Sequence, residues 1–75
     1  MSTKRDLAKE MQLIEEEIKE LEAKRTRSQA ALIEAIISRR DPDENEMRFF
    51  RTYTAEIEVK RERLTEITNQ LKNMV

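Results

Sequence analysis

Apolar residues recur at alternating steps of three and four along nearly the whole chain, and a single proline divides the run. Before Pro42 the steps fall on Leu7, Met11, Ile14, Ile18, Leu21, Arg25, Ser28, Leu32 and Ala35. After it they fall on Phe50, Tyr53, Ile57, Lys60, Leu64, Ile67, Leu71 and Met74. This spacing keeps one edge of a helix turned towards a neighbouring helix over many turns, whereas a strand would alternate with a period of two. Glycine is absent and 41% of the residues are charged. That profile belongs to long helices rather than to a disordered chain, which would lack the regular apolar spacing.

The ends of the helices carry their own signals. Thr3 is placed to accept from the free amides of a first turn, with Asp6 three residues on to reach back, as in a capping box. Asp41-Pro42-Asp43-Glu44 reads as a second start, with Asp41 as N-cap, Pro42 in the first helical position and Glu44 in the third. Arg39 and Arg40 suit the negative end of the helix before it, and Asp43 and Glu44 the positive end of the one after. Helix 1 is therefore expected over about 3–39, the turn at about 40–42 and helix 2 over about 42–74, as one domain covering 1–75. So short a connection makes the helices antiparallel neighbours, each roughly 50 Å long. The expected fold is all-α, a two-helix antiparallel coiled-coil hairpin.

Folding the chain at Asp41-Pro42 predicts a register. Ala35 meets Phe50, Leu32 meets Tyr53, Ser28 meets Ile57, Leu21 meets Leu64, Ile18 meets Ile67, Ile14 meets Leu71 and Met11 meets Met74. In this register the basic interruptions Arg25 and Lys60 share a layer, their charges kept in water by long stems or met by Glu22 and Glu56. Glu15–Lys19, Glu20–Lys24, Glu44–Arg48 and Glu56–Lys60 are spaced as favourable pairs within a helix.

A chain of 75 residues has a small core, and such chains usually add a disulfide, a metal or a partner. Cysteine and histidine are both absent. This removes disulfides, thiolate and imidazole metal sites, and the usual bases and nucleophiles of catalysis. No calcium-loop pattern or glycine-rich phosphate loop is present. No metal, no cofactor and no enzymatic activity are expected. A net charge of −1 nominates neither nucleic acid nor membrane, and no apolar stretch approaches a bilayer span. The N-terminus lacks the apolar core of a signal peptide, so a cytoplasmic protein is expected.

Association with another chain remains as the source of further stability. Two helices leave their shared edge half exposed. The third of the chain nearest the turn adds apolar residues outside the seam. Ala30, Ile33 and Ile37 face away from helix 2, while Met47 and Phe49 flank Phe50. This group is the expected partner-binding surface, for a second hairpin or for a helical segment of another protein. A symmetric homodimer closing into a four-helix bundle is the simplest solution.

A second reading starts from charge. Lys24, Arg25 and Arg27 fall at the same height as Lys60, Arg61 and Arg63 in the predicted register, forming a basic belt able to engage phosphates. The layout resembles the plasmid RNA-binding helical hairpin dimers of the Rop type, which would imply a nucleic-acid partner. The same layout is similar to small type III secretion chaperones, which would imply that the apolar end around Ile33, Ile37, Phe49 and Phe50 covers a partner's helix. The stretch Ile14-Glu15-Glu16-Glu17-Ile18 through Lys24-Arg25 resembles the first helix of helical chorismate mutases. That family's third helix has no counterpart here, and the heptad spacing accounts for the same residues.

Overall fold

The computed structural model describes residues 3–74. Met1, Ser2 and Val75, at the ends of the expected 1–75 unit, lie outside the described residues. Two helices, α1 (Lys4–Ile37) and α2 (Glu44–Lys72), pack against each other and run antiparallel. The hairpin measures 56 × 16 × 14 Å, with a radius of gyration of 16.8 Å. A compact globule of this length would have a radius of gyration of about 11 Å. The molecule is therefore a rod whose interior is a single line of side chains.

That line is the heptad seam. Leu7, Ile14, Ile18, Leu21, Ile57 and Ile67 form its buried core, with Met11, Tyr53, Leu64 and Leu71 packed against them. Ile57 and Ile67 have no exposed surface. Arg25 and Lys60 at the interrupting positions are half-buried, so each keeps part of its stem in the seam.

The cap of α1 forms as its sequence predicts. Asp6 N–H donates to Thr3 Oγ1 at 3.1 Å, and Thr3 N–H donates to Asp6 Oδ2 at 3.4 Å. The turn differs from expectation. α1 ends at Ile37, two residues early, because the chain closes it with a Schellman motif. Arg40 N–H donates to Ala35 O at 2.8 Å and Arg39 N–H to Ile36 O at 3.1 Å. Arg39 takes the left-handed conformation that this closure requires, at φ 55°.

The start of α2 moves in the other direction. Its N-cap is Asp43 rather than Asp41, with Asp43 Oδ1 accepting from Asn45 N–H at 2.7 Å and from Glu46 N–H at 3.4 Å. Pro42 thus precedes the cap instead of opening the helix. Pro42 and Met47 then hold the two positions of a hydrophobic staple, and both are half-buried. The connection therefore covers 38–43, longer than the predicted 40–42.

The predicted register is also displaced. Met11 Sδ lies 4.0 Å from Thr68 Oγ1, where Met74 was expected. Glu10 takes Arg63, Glu17 takes Lys60 and Glu22 takes Arg61. Interpolating between these contacts brings Leu21 level with Ile57, Ile14 with Leu64 and Leu7 with Leu71. The slip is about two helical turns. It explains why Leu7 is 2% exposed while Met74 lies outside the core at 39%. Arg25 and Lys60 consequently do not share a layer.

Ile57→Ala should cost about 2–5 kcal/mol, as truncation of a fully buried aliphatic residue does. Chemical unfolding followed by circular dichroism would measure it, and a loss below 1 kcal/mol would remove Ile57 from the interior. Arg39→Gly should instead stabilise the hairpin by about 1 kcal/mol, because glycine reaches the left-handed region without the Cβ clash. A thermal midpoint equal to that of the parent would show that Arg39 carries no strain.

Candidate interaction surface

The cross-helix bonds define two long edges. One carries Glu10–Arg63 and Glu17–Lys60, and the other carries Glu22–Arg61. Steps of seven along α2 link Phe49 to Arg63 on the first edge and Met47 to Arg61 on the second. The six residues proposed from sequence therefore do not form one patch. Phe49 stacks on Tyr53 with ring centroids 6.2 Å apart, at the first edge. Phe50 is half-buried in the seam beside them.

Ala30, Ile33 and Ile37 remain exposed on α1, with Ile37 75% exposed. Met47 is half-buried on the second edge. Ile36, which sequence reasoning passed over, is 66% exposed and completes an Ile33-Ile36-Ile37 cluster at one-turn spacing. The i,i+3 and i,i+4 spacing of the three isoleucines was the available signal. Leu13 and Val59, 57% and 65% exposed, were also missed, each isolated between charged residues.

The predicted basic belt is divided. Lys60 Nζ meets Glu17 Oε2 at 3.1 Å, and Arg61 meets Glu22 at 3.4 Å. Arg63 meets Glu10 through two nitrogens at 2.8 and 2.9 Å, and Glu66 at 3.2 Å. The three α2 cations of the belt are therefore all engaged by carboxylates. The two-turn slip also moves them away from Lys24, Arg25 and Arg27. Among the described residues these three make no ion pair within 4 Å, and the four pairs expected within helices do not form. Lys60 reaches across to Glu17 instead, and Arg48 Nη2 donates to Asn45 Oδ1 at 2.7 Å.

The slip creates a different neighbourhood for the remaining cations. Lys24 and Arg27 line a shallow groove with Ser28, Glu46, Phe49 and Tyr53. A second shallow groove further along α2 is lined by Ala55, Glu56, Val59 and Lys60. Among the described residues no three carboxylates are grouped to hold a metal ion, and no helix is long and apolar enough to cross a membrane.

The chain matches no protein-family model, no curated protein and no solved structure. Its function must be argued from its own surface.

The bidentate pair has a pH signature. Hydrogen bonds from Arg63 hold the Glu10 carboxyl below its ordinary value of 4.5, and the guanidinium charge adds to the effect. A depressed folded value means that the stabilisation is fully present above the unfolded value and is lost as pH falls through the folded one. Thermal midpoints should therefore fall more steeply between pH 5 and 3, in round terms, for the parent than for Glu10→Gln. Parallel pH profiles would show that the pair contributes nothing to stability.

Proposed function

We propose that the protein is a non-enzymatic interaction module that works through self-association and helix packing. The observation that carries this reading is the amount of apolar surface left uncovered. Leu13, Ile33, Ile36, Ile37, Phe49, Val59 and Met74 are all exposed on a molecule only two helices thick. Polar chains seldom leave such groups in water without a partner. Two hairpins closing into a four-helix bundle would cover one edge of each and bring the coiled-coil seam into a common interior. The Ile33-Ile36-Ile37 cluster, with Ala30 on the same helix, serves as a docking face for a helix. The module then acts as an adaptor or assembly factor. A cytoplasmic setting suits a strongly charged chain with no membrane-spanning helix among its described residues.

Unpaired Lys24 and Arg27, which share a groove with Glu46, Phe49 and Tyr53, support a second reading together with the neighbouring Arg25. In it the hairpin dimer binds a nucleic-acid backbone, as the Rop-like layout implies, with base stacking on the exposed Phe49 ring.

Light scattering on the pure protein should give a particle of two chains at micromolar concentration, and a well-folded monomer would overturn the self-association reading. The double variant Ile33→Glu, Ile37→Glu should keep its helicity and lose most of the fluorescence enhancement of an apolar-surface dye. Unchanged dye binding would remove the isoleucine cluster as a docking face. A mobility shift with mixed-sequence RNA or DNA that weakens steeply with salt would move the weight to the second reading.

A further inference from the structure

The charges of α1 are segregated. Glu15, Glu16, Glu17, Glu20 and Glu22 precede Lys24, Arg25 and Arg27, with Lys19 as the one cation inside the acidic block. The whole rod shares this polarity. Residues 24–55, the half containing the turn, hold seven Lys and Arg against five Asp and Glu, and the remaining residues hold eight against eleven. Lys24, Arg25 and Arg27 have no carboxylate within 4 Å in their own hairpin, and Glu15, Glu16 and Glu20 have no cation, among the described residues.

We propose that a second copy of this chain covers the edge carrying Lys24, Arg27, Phe49 and Tyr53, and that it lies antiparallel, its open end against the turn end of the first. This inference rests on the self-association reading and adds its face and its direction. With the twofold axis near Glu22, Lys24 of one copy stands opposite Glu20 of the other, and Arg27 opposite Glu17, which Lys60 already meets within its own hairpin. Each pair occurs twice by symmetry.

The apolar groups on this edge follow the same alignment. Leu13 meets the small Ala31, Val59 meets Tyr53, and Phe49 meets the guanidinium of Arg63, an arrangement suited to cation–π contact. Glu34 meets Glu10, whose charge Arg63 already holds, while Glu56 meets its own copy one turn from Lys60. A parallel pair, with its twofold axis along the rod, would instead lay α1 of each copy on α2 of the other and remove the Lys24–Glu20 contact. Electrostatic matching of this kind selects orientation and partner more than it adds affinity.

The absence of cysteine allows a single labelled site to report direction. Ser38→Cys, spin-labelled at the exposed turn, should give an inter-label distance of about 48 Å in the antiparallel pair, from the rise of 1.5 Å per residue. A distance within about 25 Å, the span of two helix diameters, would overturn the orientation and leave self-association intact. No dipolar signal, with light scattering of a monomer, would overturn the self-association reading along with it. Charge reversal tests the face separately. Lys24→Glu and Glu20→Lys should each weaken the dimer about tenfold, and the two together should restore it with helicity unchanged throughout. A double variant no tighter than the singles would overturn the Lys24–Glu20 contact.

Discussion

Ile57 and Ile67 lose all their solvent exposure, and Leu7 nearly all, because they lie in the line where two helices meet. The rest of the structure depends on that line. A molecule 16 × 14 Å in cross-section is about as thick as two helices side by side, so no third layer can bury anything else. Each heptad position must either reach the seam or remain at the surface. This is why Arg25 and Lys60 can occupy seam positions: their stems lie along the neighbouring helix while the charged ends escape sideways. The half-buried Thr54 and Thr68 turn their hydroxyls back to Phe50 O and Leu64 O at 2.8 Å, as the exposed Thr26 and Thr65 do to Glu22 O and Arg61 O. No water layer is needed to satisfy them.

The helices and their inward faces were legible in the sequence because they are local. A 4-3 spacing is read within one helix, and the Thr3–Asp6 box within a single turn. Register is not local. Sliding one heptad helix past another by two turns returns equivalent positions to the seam, so the apolar pattern alone accepts several alignments. What separates them is the path of the connection and the long polar side chains at the edges. The connection was misread because Asp41-Pro42 and Asp43 offer competing starts. The Schellman closure at Arg39 ends α1, Arg40 to Pro42 lie outside both helices, and the cap falls to Asp43. The edge contacts were misread because pairs four apart on one helix look complete in themselves. An exposed pair of that kind is worth only a few tenths of a kcal/mol, too little to hold its side chains, and Lys60 turns across to Glu17 and Arg48 to Asn45 instead.

The same slip rewrites the functional reading of the surface. The sequence placed six cations at one height, a pattern that would mark a phosphate-binding belt. In the folded hairpin the α2 half of that belt serves the fold, through Glu10, Glu17 and Glu22, and the α1 half stands beside two aromatic rings. Aromatic residues interleaved with cations were absent from the predicted register and are present in the observed one. The candidate partner surface was partly legible for a related reason. Ile33 and Ile37 could be assigned to the outer face of α1 from heptad position alone. Separating Phe49 from Met47 required knowing which edge each helix offers to the other, and that is settled by the cross-helix pairs.

The uncovered residues also carry information about what kind of partner fits. An apolar groove open to any hydrophobic helix would be bordered by neutral or evenly mixed residues. Here the exposed Leu13 falls in the acidic stretch of α1 that holds Glu10, Glu15, Glu16 and Glu17, and Phe49 shares a groove with Lys24, Arg27 and Glu46. A partner that covers both regions must therefore change sign along its length in the opposite sense. The chain itself, turned end for end, has that distribution. Any other partner would have to reproduce it, whereas the proposed second copy would supply it by symmetry, with no additional sequence needed to encode the selectivity.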